Sequence, residues 1–322
     1  MKQFPYLLFL SIILIQCTKT VSTDPEVDPK IAPPGDEIRT YIFGHSLLKH
    51  DFEVDPPTPS DETSVPHWFV EFADSASIDF QVSGQYGFLP QHATLPPIAQ
   101  WGFDNVQSPW DSDFQEFSEA DFNSVLITAA NFIQYKKAHE PYDGDASYTS
   151  PLASTIQITD WLVDQEPDID IYIYENWPDM AAYISAFPPP NSEVDNYHEI
   201  TQNEFHNWWV EYQDSLVAAR PEQNIKMIPV GPIIAKLLVE TPICDVSFDA
   251  LYEDDAPHGR PTIYFLAAMI TYMGMTEEKA PANYEVPDII DPLVRDNYQL
   301  LVDSTWAALS RFNFDDGASR VW

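Results

Sequence analysis

Cysteine is scarce in this sequence, which excludes a fold held together by disulfides. The 322 residues include two cysteines, Cys17 and Cys244. Cys17 ends an apolar leader, so its removal or modification would leave Cys244 without a partner for an intramolecular disulfide. Neither cysteine stands at zinc-site spacing from another Cys or His. Cys244, in Thr-Pro-Ile-Cys-Asp-Val, is interpreted as a small buried apolar residue and not as a nucleophile.

Basic residues are also few. Lys and Arg total 15 against 51 Asp and Glu, a formal charge of -36. Nucleic acids and anionic lipid surfaces are bound through basic contacts, so this charge excludes nucleic acid as a partner and indicates a solvated acidic surface. A Gly-rich phosphate loop is missing as well, which argues against a nucleotide. The sequence predicts neither a cofactor nor a metal ion.

The N-terminus has the features of an export signal. Lys2 supplies positive charge, and residues 4–15 form an apolar run too short for a comfortable membrane span. The run ends in Leu-Ile-Gln-Cys17, which resembles a bacterial lipoprotein box. Residues 1–17 are therefore predicted to be a signal peptide with Cys17 as the site of a lipid anchor, and ordinary cleavage nearby, giving a secreted protein, is the alternative. Residues 18–37, rich in Pro, Asp and Thr, are predicted to form a flexible tether.

After the tether, apolar strands alternate with amphipathic helices. The predicted strands lie at 40–43, 78–82, 124–130, 168–174 and 225–230, and the predicted helices at 67–76, 150–163, 203–220, 233–239, 263–273 and 291–310. This alternation predicts a three-layer α/β/α sandwich around a five-stranded parallel sheet in flavodoxin-like order. Residues 38–322 are predicted to form a single domain without a transmembrane span.

Two polar stretches stand at places where this fold would bring them together. The first predicted strand runs into Gly44-His45-Ser46, and in open α/β sheets ligands bind at the carboxyl ends of the strands. The second stretch, Asp255-Ala-Pro-His258, precedes an apolar helix near the end of the chain. A serine nucleophile needs a base, and a histidine base needs a group that fixes its tautomer, so Asp255 and His258 together could activate Ser46.

Taken together, the two stretches resemble the SGNH/GDSL hydrolase family. In that family the nucleophile lies in an early Gly-Asp-Ser-Leu block, and an Asp-x-x-His block comes near the end. Here the first block is Gly44-His45-Ser46-Leu47, so His45 replaces the usual aspartate. The resemblance covers residues 38–315. It implies a catalytic triad in which Ser46 is the nucleophile, His258 the base and Asp255 the residue that orients His258.

The same resemblance implies an oxyanion hole with three donors. They are the backbone N–H of Ser46, a glycine after the second strand and an asparagine after the third. The glycine matches Gly84, with Gly87 as the alternative, and the asparagine matches Asn131. The family pattern around the asparagine is Gly-x-Asn-Asp, from which Ala129 and Phe132 depart. Read without the resemblance, Asn131 could cap a following turn and Gly84 could serve a tight turn.

The resemblance implies an exported serine ester hydrolase that forms an acyl-enzyme. An O-acyl ester is the expected substrate, either a small molecule or a carbohydrate, with acetyl as the favoured acyl group. A lipase or thioesterase, or a non-catalytic glycan-binding module on the same fold, is the alternative. Trp101 and Trp110 are predicted to be either substrate walls or core residues, and Trp177 is a further candidate for the pocket. A calcium site in the acidic run 253–255 is disfavoured because Asp255 is assigned to His258.

Overall fold

The structure, a computed structural model, describes residues 37–50, 64–129, 136–142 and 149–322. All of them belong to one compact unit, Ile31–Trp322. The predicted signal peptide with Cys17, and the predicted tether up to residue 36, lie outside the described residues. Their boundaries stay predictions.

The sheet has five parallel strands in the order β2-β1-β3-β4-β5. The strands are β1 Glu37–Gly44, β2 Asp79–Tyr86, β3 Ser124–Thr128, β4 Asp170–Tyr174 and β5 Ile225–Ile228. This is the flavodoxin-like order, so the predicted fold class is confirmed. The chain leaves β1 toward β2 on one side and later returns to place β3 on its other side. The carboxyl end of β1 is therefore the topological switch point, where ligands of such sheets bind.

Helices cover both faces of the sheet. In the described residues they are α1 Val65–Ala76, α2 Leu89–His92, α3 Pro151–Gln165, α4 Asn191–Ile200, α5 His206–Ala219, α6 Val230–Glu240, α7 Phe248–Leu251, α8 Pro261–Thr276, α9 Pro292–Asp296 and α10 Tyr298–Leu309. Every predicted helix is present, although the last one is divided into α9 and α10 at Asn297. None of these helices is both long enough and apolar enough to span a membrane.

Successive side chains along each strand point to opposite faces of the sheet and pack into two separate hydrophobic cores. In β1, Tyr41 and Phe43 pack into the core covered by α3 and α5, whereas Ile38 and Ile42 pack into the core covered by α1, α6 and α8. Because both faces of the sheet are covered, its strands read as nearly continuous apolar runs in the sequence. Cys244, expected to be buried, is half-buried in the short 3₁₀ turn Pro242–Asp245.

Candidate active site

Ser46 lies in a tight turn immediately after β1, at the switch point of the sheet. The Leu48 N–H donates to the carbonyl of His45 at 2.9 Å and closes the turn. Gly44 is required here because an added Cβ would lie 2.7 Å from side-chain atoms of both Leu48 and Trp101. A larger residue would push these neighbours apart. The turn leaves Ser46 half-buried at the carboxyl edge of the sheet.

His258 is carried by a loop that is closed on itself. Tyr252 and Gly259 form an antiparallel bridge at its base. Within the loop, the Glu253 N–H donates to the carbonyl of His258 at 2.9 Å. The loop ends at the N-terminus of α8, a helix that is buried almost all round. His258 is thereby attached to one of the most deeply buried helices of the core.

Two buried side chains hold the Ser46 turn and the His258 loop in place. The Trp177 indole N–H, at the carboxyl end of β4, donates to the carbonyl of Pro257 at 2.9 Å. The Tyr264 hydroxyl, in the first turn of α8, donates to the carbonyl of Ser46 at 2.9 Å. Trp177 thus positions the base, and Tyr264 ties the serine turn to the helix that follows the base.

The structure brings Ser46 and His258 together although 212 positions separate them. The Ser46 Oγ and His258 Nε2 atoms are 3.0 Å apart, and His258 Nδ1 lies 2.7 Å from Asp254 Oδ2. The His258 backbone N–H also donates to the other oxygen of Asp254, at 3.1 Å. Burial raises the pKa of the Asp254 carboxyl, but its hydrogen bonds from His258 outweigh burial, so the pKa lies below its ordinary value. Asp254 is therefore ionised at neutral pH.

The carboxylate that contacts His258 is Asp254 and not Asp255, which the resemblance predicts. The side chain of Asp255 is exposed, and the backbone carbonyl of Asp255 accepts the N–H of Met180. Asp254 turns back over the loop because one of its oxygens accepts the N–H groups of both Ala256 and His258, each at 3.1 Å. This Asx-type turn aims the other oxygen at the His258 ring. The spacing between the two residues is thus four and not three.

His45, which stands where the family has aspartate, is a buried structural residue. Its Nε2 lies 3.0 Å from the carbonyl of Ala129, just after β3, and its Nδ1 accepts the Leu47 N–H at 3.4 Å. Since the carbonyl can only accept, the ring proton is on Nε2. Burial lowers the pKa of His45 to about 4, with the nearby His258 acting in the same direction and the Ala129 bond opposing. A neutral His45 therefore joins the Ser46 turn to the end of β3.

Of the predicted oxyanion donors, the structure describes Ser46, Gly84 and Gly87. Gly84 lies inside β2, paired with Ile42, because that strand continues to Tyr86 and not to residue 82 as predicted. Its carbonyl accepts two backbone N–H groups from the segment at residues 100–101. Gly87 is the glycine that follows the strand, and its N–H donates to the carbonyl of Gly44 at 2.9 Å. Asn131 lies outside the described residues. Within the described residues, no acceptor faces the Ser46 N–H.

Sequence reasoning missed a second histidine–carboxylate pair at the site. The His50 ring stacks on the His258 ring with centroids 3.5 Å apart and planes 4° apart. His50 Nδ1 lies 3.2 Å from Glu253 Oε2. Glu253 and Asp254 thus each face a histidine, and in the described chain no cluster of His, Cys, Asp or Glu is arranged to hold a metal ion. The only sequence signal is the run of three acidic residues at 253–255, just before His258. This run does not show which residue each of the three carboxylates contacts.

Aromatic side chains border the serine turn on the β2 side. Trp101 is half-buried, stands against Gly44 and contacts the ring of Tyr86 edge-on at 5.6 Å between centroids. Tyr86 and Phe88 are 49% and 39% exposed, so both rings reach the surface of the protein. Trp110, by contrast, is a core residue packed on Tyr41. Of the two tryptophans predicted as walls or core, Trp101 is beside the site and Trp110 is not.

No family model matches the chain, and no curated protein matches it. Five solved structures do match. One is a GDSL-like lipase from Parabacteroides merdae, at 12% identity over 77% of this chain and 99% of that chain, with a TM-score of 0.42. A GDSL-like lipase from Bacteroides uniformis matches at 12% identity over 74% and 94% of the two chains, with a TM-score of 0.34. A carbohydrate esterase family 2 enzyme with a carbohydrate binding domain, from Corynascus thermopiles (Myceliophthora fergusii), matches at 11% identity over 66% of this chain and 67% of that chain, with a TM-score of 0.28.

These likenesses are distant. Because every TM-score is below one half, the function proposed for this chain depends on the geometry of its own site. The sheet order, and the positions of Ser46 and His258 at one edge of it, agree with the SGNH/GDSL resemblance found in the sequence motifs.

Proposed function

We propose that the protein is a serine esterase that hydrolyses O-acyl esters through an acyl-enzyme. The observation that carries this proposal is the hydrogen-bonded row Ser46–His258–Asp254, with distances of 3.0 Å and 2.7 Å. A serine in reach of a histidine, which is in turn oriented by a carboxylate, is the arrangement that activates a hydroxyl nucleophile. A glycan-binding module would gain nothing from this row, which argues against that alternative.

The proposed reaction has two stages. Ser46 Oγ attacks the ester carbonyl carbon while its proton passes to His258 Nε2, and Asp254 stabilises the imidazolium that forms. The imidazolium then gives this proton to the departing alcohol, which leaves an acyl group on Ser46. Water attacks the acyl carbon while one of its protons passes to His258 Nε2, and the imidazolium returns this proton to Ser46 Oγ as the acid is released. The Ser46 N–H and, by resemblance, the Asn131 amide are the proposed donors to the developing oxyanion.

The finer proposal concerns the substrate. We propose an acetyl or other short acyl group on a carbohydrate alcohol. In support, the exposed ring of Tyr86 beside the serine turn offers a flat apolar face against which a sugar ring can pack. The net charge of -36 disfavours strongly anionic substrates. Lipid esters and thioesters are the alternatives that the experiment must separate.

A substrate screen tests both levels of the proposal. Acetylated mono- and oligosaccharides, short and long aryl esters and an acyl thioester are offered to the wild-type protein and to Ser46→Ala. We expect release of acetate from sugars and cleavage of short aryl esters, both abolished in Ser46→Ala. Cleavage of long-chain esters or thioesters alone would contradict the proposed carbohydrate ester and favour a lipid ester or a thioester as the substrate. Full activity in folded Ser46→Ala would reject the serine mechanism.

We also propose that the protein is exported and held at a membrane by lipid on Cys17. The support is the Leu-Ile-Gln-Cys17 sequence after the short apolar run. Mass spectrometry of the mature N-terminus tests this proposal. A diacylated or triacylated Cys17 is the expected result, and an unmodified terminus downstream of Cys17 would show ordinary secretion instead.

A further inference from the structure

The feature that the proposed mechanism leaves unused is the pair His50–Glu253. His50 follows Ser46 by four positions, and its ring lies parallel to the His258 ring at 3.5 Å. Glu253 binds His50 Nδ1 at 3.2 Å and donates its backbone N–H to the carbonyl of His258 at 2.9 Å. The two imidazoles thus lie face to face, each with its own carboxylate from adjacent positions of one loop.

Both ends of the pair are held by the backbone. Lys49, next to His50, forms an antiparallel bridge with Ser64, and the Val65 N–H donates to the carbonyl of Leu48 at 2.8 Å. Glu253 is fixed by the closed base of the His258 loop. The side chain of His50 is 26% exposed and that of Glu253 23%, so the pair is neither free in solvent nor sealed in the core. The two segments that carry this pair are therefore both anchored, and this anchoring holds the His50 and His258 rings in their parallel stack.

We propose that His50, held by Glu253, is a positioning residue for His258. This inference rests on the proposed function, since it concerns the base of that same triad. The stacked ring blocks one face of His258 and so opposes rotation about the bond that must keep Nε2 aimed at Ser46. Removal of His50 leaves that face open and the ring free to tilt.

Two variants test this positioning role. His50→Ala removes the ring, and His50→Phe keeps an aromatic face against His258. For His50→Ala we expect kcat for a short aryl ester to fall about tenfold, with KM nearly unchanged, because alignment of the base matters only in the chemical step. His50→Phe should recover much of this kcat near neutral pH. His67→Phe, at another half-buried histidine packed on an aromatic neighbour, is the matched control and should leave kcat unchanged.

The split between kcat and KM, together with the rescue by His50→Phe, is the readout that a merely structural contact would not give. Unchanged kcat in folded His50→Ala would overturn the positioning role, and so would a His50→Phe variant no more active than His50→Ala. A wild-type protein that cleaves no ester would instead reject the proposed function.

Discussion

At the scale of single residues, the site depends on which of two adjacent aspartates reaches His258. Asp254 binds His258 Nδ1 at 2.7 Å, whereas the Asp255 side chain points to solvent. The two residues differ little in chemistry or in sequence position. Their different geometry comes from the Asx-type turn that Asp254 forms with the backbone at Ala256 and His258.

Neighbouring substitutions provide a matched test of this assignment. Asp254→Asn should lower kcat for ester hydrolysis by roughly 10²–10⁴ because the amide can neither fix the His258 tautomer nor stabilise its imidazolium. Asp255→Asn, which removes the same charge one position away, should stay within about threefold of the wild type. Both are measured under saturating substrate, with circular dichroism to check folding. A larger loss in Asp255→Asn than in Asp254→Asn would restore the original prediction.

The sequence motifs single out Ser46 and His258, which the structure brings together, but the motifs do not predict the surroundings of these two residues. Ser46 follows a strand and His258 precedes a helix, and both features are visible as local patterns. The choice of Asp254 depends on a loop conformation, and the contact of His50 with His258 depends on tertiary packing across 208 positions (258 − 50). Neither leaves a periodic trace in the sequence.

At the scale of elements, the positions of strand ends decide which groups reach the site. The type and order of all five strands were predicted correctly, but β2 continues to Tyr86. Ser83-Gly84 looks like a turn signal in the sequence, yet Gly84 is accommodated in the strand beside Ile42, where an added Cβ would lie 2.9 Å from the Ile42 carbonyl oxygen. A glycine that allows close backbone approach and a glycine that ends a strand are alike in sequence. Because of this ambiguity, the resemblance matches Gly84, with Gly87 only as the alternative, to the glycine that follows the second strand.

The contact between β4 and the His258 loop gives a prediction at this scale. Trp177→Phe removes the indole N–H that Pro257 accepts and leaves that carbonyl without this donor. Trp177 is 1% exposed, so the free energy of unfolding should fall by about 1–3 kcal/mol, the usual cost of an unsatisfied buried polar group, besides the cost of the smaller ring. Denaturant unfolding measures this. The kcat of the folded variant should fall as well, because the loop that carries His258 loses an anchor, and unchanged stability and kcat would show that the contact is unimportant.

At the scale of the whole molecule, buried histidines should make the protein less stable in acid. Burial lowers the pKa values of His45, His92 and His198 to about 4 each, although Asp195 partly opposes this at His198. The ordinary histidine value is about 6.5, so between about pH 6.5 and 4 the unfolded chain binds more protons than the folded one at these positions. The free energy of unfolding should therefore fall with acidification. Buried Glu175, with its pKa raised by burial to about 7, acts in the opposite direction and offsets part of the loss.

His198→Gln isolates one of these groups. His198 is buried at 6% exposure and belongs to α4, outside the proposed triad. Removing its titration should reduce the slope of unfolding free energy against pH between 6.5 and 4 by up to about 1.4 kcal/mol per pH unit, the contribution of one proton. Urea unfolding at a series of pH values gives both slopes. Equal slopes for the variant and the wild type would mean that His198 is not held neutral in the folded protein.

The central claim, that Ser46 is a nucleophile activated by His258 and Asp254, is tested most directly by covalent trapping. The folded protein is treated with a fluorophosphonate, which forms a stable adduct only with an activated serine, and the adduct is located by peptide mass spectrometry. We predict one adduct per chain, on Ser46, that forms at least tenfold more slowly in Asp254→Asn but not in Asp255→Asn. No adduct, or an adduct on another serine that persists in Ser46→Ala, would contradict the account.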